Sequence, residues 1–439
     1  MKTNRRDFVK KASLTTAGIG LLSAFPAGAY SRIKRANEKL VCGAIGINGM
    51  GFADLRAFLS QPDTECAALC DVDENVLNQR IKNIEKLQGK APKGYKDFRK
   101  LLEHKVLDVI IIGTPDHWHT LPFVNAAQEG FDIYCEKPLA NTIGECNIME
   151  KAVNRYNIIT QIGQWQRSDK HWQDAIKYVH SGKLGKIRTV RAWSYQGWMK
   201  SVPVVPDESV PEGVDYDFWL GPAPNRPFNR NRFHFNFRWF WDYAGGMMTD
   251  WGVHIVDYAL FGMKQYAPKS VMSMGGKFAY PEDAAETPDT QQALFEFDGF
   301  TMLWDHGIGI DAGYYGRSHG VGFVGNKGTL VVDRGGWEVI PEFEGKEPLL
   351  ERVDLIKGDD QGLNNHMKNF IDCIKTRKKP NCPVEIAAGV ASTCHLGNIA
   401  FKTGRRLYWD ADKSMCINDD EANRYINPVY RKPWEVPVV

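Results

Sequence analysis

An apolar run from Leu40 to Ile47 breaks at Gly46-Ile47-Asn48-Gly49-Met50-Gly51 and continues as a helical pattern. A strand that turns this tightly into a helix needs glycine where φ is positive or backbones touch, and the new helix presents free N–H groups and its dipole to an anion. The spacing approximates G-x-G-x-x-G with Asn48 in the middle position. Asparagine is the usual non-glycine occupant of the left-handed region, so the turn is expected to survive with Asn48 left-handed and the helix starting near Met50. Gly49 then supplies the close backbone approach to a pyrophosphate. Asp71, 25 residues after Gly46 and directly after the next apolar run, is placed to accept hydrogen bonds from a ribose. A carboxylate there repels a 2′-phosphate, which favours NAD over NADP. Gly46, Asn48, Gly49, Met50, Gly51 and Asp71 are therefore the first cofactor candidates.

The runs Leu40 to Ile47, Glu65 to Cys70, Val106 to Gly113 and Phe131 to Cys135 read as strands separated by helical patterns. Unbroken apolar runs such as Val109-Ile110-Ile111-Ile112 suit parallel strands covered on both faces. After Ile162 the pattern changes to longer alternating stretches, Ile187 to Tyr195, Gln291 to Phe297 and Thr301 to His306. Asp298-Gly299 marks a hairpin in which both turn residues are expected at positive φ. The fold class is thus α/β: an N-terminal doubly wound Rossmann sheet over 39–160, and an α+β domain with an open, mostly antiparallel sheet over 161–410, followed by an extension over 411–439. Between the sheets, residues 197 to 243 hold Trp198, Trp219, Phe228, Phe233, Phe235, Phe237, Trp239, Phe240, Trp241 and Tyr243. They form either a loop that packs its own aromatics or a wall of a substrate cleft.

Charge bounds the partners. The 439 residues carry 55 basic and 53 acidic side chains, which gives no electrostatic case for nucleic acid. The excess lies at the start, where Asn4-Arg5-Arg6-Asp7-Phe8-Val9-Lys10 precedes a weakly apolar run and Ala27-Gly28-Ala29. Residues 1–29 look like a twin-arginine signal, which implies a periplasmic protein exported folded and free of the membrane once the signal is removed. The nine cysteines are scattered and odd in number, so they read as core residues rather than a disulfide framework. No metal-ligand spacing is present; His117-x-His119 lacks a completing carboxylate or thiol.

Three further motifs follow in order: Thr114-Pro115-Asp116-His117-Trp118-His119 after the third strand, Glu136-Lys137-Pro138 after the fourth, and Gly245-Gly246-Met247-Met248-Thr249-Asp250-Trp251-Gly252-Val253-His254 opening a helix. With the glycine turn they resemble the Gfo/Idh/MocA family, the relatives of glucose-fructose oxidoreductase and inositol dehydrogenase. The resemblance covers 39 to about 410 and implies a Rossmann domain, bound NAD(P) and hydride transfer at a sugar or cyclitol carbon. Thr114, Pro115, His117, His119, Glu136 and Lys137 are added to the cofactor contacts.

The chemistry is legible in the side chains themselves. Oxidising a secondary alcohol removes a proton while a hydride leaves carbon, so a base and a cation are both needed. Lys137 can hydrogen-bond the reacting oxygen. Asp250 and His254, four apart, are expected on one helix face, with His254 titrating near neutrality as the base and Asp250 orienting it or binding a neighbouring hydroxyl. Gln164, Arg167, Trp241 and Tyr243 are substrate candidates, and His366 is either a helix cap or a weaker one. The expected activity is NAD-dependent oxidation of a sugar or glycoside hydroxyl with a tightly held cofactor. The alternatives are a glycosidase that oxidises transiently and eliminates the aglycone, and a non-catalytic NAD or sugar binder. An uncovered sheet face implies a homo-oligomer, dimer or tetramer.

Overall fold

A computed structural model describes residues 39–439; the segment 1–29 read as an export signal lies outside them. The first sheet contains β1 (Leu40–Ile45), β2 (Thr64–Cys70), β3 (Lys93–Tyr95), β4 (Val109–Ile112), β5 (Asp132–Cys135) and β6 (Thr160–Ile162), in the order β3-β2-β1-β4-β5-β6. All of its pairings are parallel. Its crossover helices are α1 (Gly49–Leu59), α2 (Glu74–Gln88), α3 (Phe98–Leu102), α4 (Thr120–Gln128) and α5 (Ile143–Tyr156). This is the doubly wound sheet expected from the apolar runs. Its third strand by sequence, β3, is short and largely exposed, so it leaves no apolar run to find.

The chain continues through α6 (Lys170–His180), β7 (Ile187–Gln196), α7 (Tyr216–Leu220), α8 (Gly246–Asp250) and α9 (Gly252–Met263). A ten-stranded sheet is then completed by β8 (Ser270–Gly276), β9 (Thr290–Glu296), β10 (Thr301–Ile308), β11 (His319–Gly325), β12 (Gly328–Asp333) and β13 (Gly336–Pro341), with β14 (Val353–Lys357) and, after two helices, β15 (Leu407–Asp410) and β16 (Met415–Cys416) at its edges. β7 and β10 run parallel and the other neighbours antiparallel. The β9–β10 turn departs from expectation: Gly299 alone takes positive φ, +83°, while Phe297 N–H closes the hairpin on Phe300 O at 3.0 Å.

The two helices after β14 tie the sheets together. α10 (Gly362–Thr376) returns to the first sheet, where Met367, Phe370 and Ile371 share a core with Leu55 and Phe58 of α1. α11 (Val384–Thr403) buries Val384, Ala387 and Ala391 in the core of the first sheet, and Cys394, Leu396, Ile399 and Ala400 in that of the second. Parts of 161–410 therefore complete the Rossmann layer, because the sheet's apolar face needs a cover that 39–160 does not supply. Residues beyond 410 also pack inward: Tyr430 and Trp434 lie against the Rossmann core. All nine cysteines are free and buried.

The glycine turn differs from the sequence expectation in one instructive way. Asn48 is extended, with φ −93° and ψ 161°, and caps α1 by accepting the Gly49 N–H at 3.0 Å. Positive φ falls on Gly46 (+73°) and Gly49 (+47°) instead. Asparagine is a favoured N-cap, so capping outweighs its tolerance of the left-handed region. At Gly51 a Cβ would lie 2.0 Å from the Gly46 carbonyl oxygen, whereas at Gly49 it would meet nothing within 4 Å. Gly51→Ala is therefore expected to destabilise the fold by about 1–3 kcal/mol, read as a lower urea midpoint at constant slope. Gly49→Ala is expected to cost about 1 kcal/mol, from its φ alone.

Candidate functional site

The C-terminal edge of the first sheet opens into a cleft of about 440 Å³, roofed by the aromatic loop. Gly46, Asn48, Gly49, Met50, Asp71, Thr114, Pro115, Glu136 and Lys137 line it, with Phe218, Trp219, Phe233, Phe235 and Phe237 opposite. Both readings of the loop hold: Trp219, Phe233 and Phe237 line the cleft and also pack in the loop's own core, Phe218 and Phe235 line the cleft outside that core, and Phe228, Trp239, Phe240 and Tyr243 belong to the core alone. Asp71 accepts the Ile47 N–H at 3.0 Å and the Asp73 N–H at 3.0 Å. Burial pushes its carboxyl up to about 6, against the pull of those N–H groups. Asp73 is committed to capping α2 through Asn75 N–H and Val76 N–H.

The glycine turn and α2 are joined across the cleft mouth by a residue the sequence did not single out. His234 contacts Asn48 Nδ2 through Nδ1 at 3.3 Å and Asp73 through Nε2 at 3.2 Å. The same loop is stitched to the β2–α2 corner by Glu74 N–H to Gly213 O and Asp215 N–H to Val72 O.

At the inner end of the cleft the Lys137 ammonium donates to Asp250 Oδ1 at 2.7 Å and to the Asp250 carbonyl at 3.1 Å. Arg238, from the aromatic loop, donates to the same Oδ1 at 3.1 Å. Burial disfavours the Asp250 charge, yet Lys137 and Arg238 hold the carboxyl well below its ordinary range. Nearby, burial pushes Asp116 up to about 7 and Glu136 up to about 7. Asp250 and His254 fall on two short helices that meet at Trp251 rather than on one. His254 is close enough to feel both Lys137 and Asp250, but burial, Lys137 and Arg334 drive its pKa well below 6.5, so it does not titrate near neutrality. Trp165 and Trp251 flank its ring, each with centroid 6.3 Å away.

Several expected contacts lie elsewhere. His117 is buried with Nε2 at 3.1 Å from Trp219 O, and His119 is buried between the carbonyls of Pro138 (2.7 Å) and Thr114 (2.9 Å). They brace the loop and the Lys137 strand end and do not line the cleft. Gln164 is buried and accepts from Cys382 Sγ at 3.2 Å. Arg167 is spent on Asp257, donating through Nε at 2.9 and 2.8 Å and through Nη2 at 2.7 Å, with side-chain exposures of 2% and 1%. Trp241 donates to Glu286 O at 3.0 Å under the Lys402 ammonium. Tyr243 is fully buried against His117 and Trp219. His366 is buried, with Ile162 O at 2.9 Å from Nε2, and joins α10 to the first sheet. A polar residue next to a motif carries no sequence mark that separates cleft from core. Arg238, His234 and Arg334 were missed because each stands alone in a turn or loop, outside any periodic pattern.

The cleft suits a dinucleotide on its own geometry. Gly49 leaves open space where a Cβ would be, at the start of α1, and Thr114 Oγ1 in the cleft wall is buried with no hydrogen-bond partner. Among the described residues no group of His, Cys, Asp or Glu is arranged to hold a metal ion, and no helix is long and apolar enough to cross a membrane. Fold and site thus define a dinucleotide-binding oxidoreductase. Residues 40–164 match the oxidoreductase family NAD-binding Rossmann fold, and 168–295 with 327–436 match the same family's C-terminal alpha/beta domain. The chain belongs to the Gfo/Idh/MocA oxidoreductase family.

An alpha-N-acetylgalactosaminidase of Shewanella oneidensis is 29% identical over 161 residues, which is 33% of this chain and 35% of that protein. A glycosyl hydrolase family 109 protein of Parabacteroides distasonis is 29% identical over 206 residues, 43% of each chain. The chain therefore spans less than half the length of these curated relatives. Levoglucosan dehydrogenase, solved with NADH and levoglucosan, shares the fold at 17% identity and a TM-score of 0.65 over 87% of this chain and all of that one.

Removing one member of a buried ion pair strands its partner's charge. Arg167→Met is therefore expected to lower stability by about 3–5 kcal/mol, measured by denaturant unfolding. The double variant Arg167→Met/Asp257→Leu is expected to recover most of that loss.

Proposed function

We propose that this protein oxidises or reduces a secondary hydroxyl of a sugar or glycoside with NAD. The observation that carries this reading is the convergence of Lys137, Asp250 and His254 at the inner end of a dinucleotide cleft. The N-terminus of α1, Thr114 and Asp71 would hold the dinucleotide, which when bound supplies hydride acceptance and return. Lys137 hydrogen-bonds the alcohol oxygen and stabilises negative charge as it develops. His254, neutral at pH 7 because its pKa is depressed, has an open site for the proton. Asp250 positions Lys137 and offsets the positive field that His254 would meet once protonated.

The ionised Asp71 supports NAD over NADP, since a 2′-phosphate would meet its charge. Tight retention is supported by the Asn48–His234–Asp73 bridge over the cleft mouth. The same bridge favours the second reading, a glycosidase that borrows a hydride and returns it, because such a cofactor never needs to leave; the likeness to the Shewanella enzyme agrees. Residues 1–29 support export in the folded state to the periplasm. The uncovered sheet face, where Met272 pairs with Leu294 and Met274 is 78% exposed, supports a homo-oligomer.

Protein purified without added cofactor is expected to release NAD on denaturation. Incubated with a panel of glycosides and analysed for products, it should yield keto-sugars; free aglycone without keto product would establish the glycosidase reading. A silent panel, or activity that survives Lys137→Ala, would refute both. The pH profile follows from His254. Its proton acceptor is lost only as pH falls through a pKa well below 6.5, so kcat/KM should show no loss from this group at pH 6.5 and should decline only where pH falls through that lower pKa. His254→Ala is expected to lower kcat by about 10²- to 10⁴-fold.

A further inference from the structure

Beside His254 the structure gathers buried nitrogens that have no hydrogen-bond partner in the protein. His254 Nδ1, His319 Nε2 and Arg334 Nε are each buried without a hydrogen-bond partner. Arg334 lies in the β12–β13 turn and has no carboxylate within ion-pair distance among the described residues. One of its N–H groups reaches Gln166 Oε1 at 3.4 Å, and its guanidinium lies 5.0 Å over Trp165 and 4.7 Å over Trp251. Trp251 also packs on His254 (6.3 Å) and His319 (5.1 Å). The three side chains that carry these nitrogens thus pack on one indole, that of Trp251.

A buried donor left unpaired costs about 1–3 kcal/mol, more when it is charged. A fold therefore keeps several such donors together where something else supplies the acceptor. The local charge says what that is. Asp250 already receives both Lys137 and Arg238, and Asp360, the other carboxylate that Arg334 feels, is exposed. Of the charges that bear on His254, Lys137 and Arg334 outweigh Asp250. The Ser318 hydroxyl lies 3.1 Å from His319 Nδ1; when it donates there, Nε2 carries the proton and becomes a donor toward the site.

Resting on the oxidoreductase reading of this site, we propose that the substrate is an anionic sugar, whose carboxylate or sulfate ester is received by Arg334 and His319 while its ring lies against Trp165 and Trp251. The guanidinium fork matches either group through paired N–H donors, and indole faces suit the apolar face of a pyranose. The anion also serves the base: it offsets Arg334, one of the charges that depress His254, so the proton acceptor is strengthened only when the correct substrate is present.

The test uses the cofactor-loaded protein and matched methyl glycosides in gluco, galacto and manno series, each as the neutral sugar, the uronate and the 6-sulfate. Binding is read by tryptophan fluorescence and turnover by nicotinamide absorbance. At least one charged member is expected to bind about 10- to 100-fold tighter than its neutral partner, and whether that member is a uronate or a sulfate identifies the group. Arg334→Gln should collapse the preference to near unity, Arg334→Lys should restore part of it, and His319→Gln should reduce it; thermal midpoints confirm that each variant is folded. No charged member binding more tightly than its neutral partner overturns the proposal, even where neutral sugars turn over and the oxidoreductase reading stands. Selective charged binding with no change in nicotinamide absorbance and no product upholds the anion site and refutes the oxidoreductase.

Discussion

The 2.7 Å contact between the Lys137 ammonium and the Asp250 carboxylate joins two domains at the point where chemistry would occur. Lys137 follows β5 of the parallel sheet, and Asp250 ends a short helix on the other side of the cleft. Side-chain exposures of 11% and 13% keep the pair largely out of water, where attraction is strong and an unpaired charge is expensive. Each charge is tolerable because the other domain supplies its partner, so correct docking and a competent site are one condition. Arg238 adds the aromatic loop to the same carboxylate; sheet, helix and loop are registered by one oxygen atom.

That registration needs a rigid frame, and α11 provides it. Its two halves lie in different cores, so rotation of one sheet against the other would expose apolar surface on both. The Arg167–Asp257 pair reinforces the same junction from within, linking the segment after β6 to α9. Buried ion pairs add little net stability over apolar packing but penalise misdocked states heavily. An arginine that reads as a substrate ligand in the sequence is thereby a determinant of domain geometry.

The sequence disclosed the features that repeat or that answer to backbone geometry. The parallel strands follow from unbroken apolar runs, and the glycine turn from a spacing that only a tight strand-to-helix corner requires. The ordered motifs around Lys137 and Asp250 carried the family. Sequence did not disclose how a side chain is spent. Asn48 could enter the left-handed region or cap α1, and the free Gly49 N–H at the helix start decided for the cap. His117 and His119 within a motif, Tyr243 just before one, and Gln164 and Arg167 after β6 are all buried. Arg334 and His319, more than 60 residues beyond the last motif, meet His254 because α9 packs on β7 and β11, with β12 next to β11 in the second sheet.

The depressed pKa of His254 follows from the same placement. A lone imidazole beside Asp250 would be expected to rise, since a carboxylate favours the cation. Here burial comes first, and Lys137 and Arg334 outweigh Asp250, so the ring stays neutral and open to a proton but is a weak base in the free site. In the reaction proposed above, strength would come from what enters the cleft: negative charge, whether developing on the alcohol oxygen or carried by the substrate, would raise the proton affinity of His254 at the moment it is required. An exposed histidine would need no such help, but it would also be protonated and useless over part of the neutral range. Burial among cations therefore trades basicity at rest for basicity conditional on substrate, a constraint imposed by charges drawn from both domains.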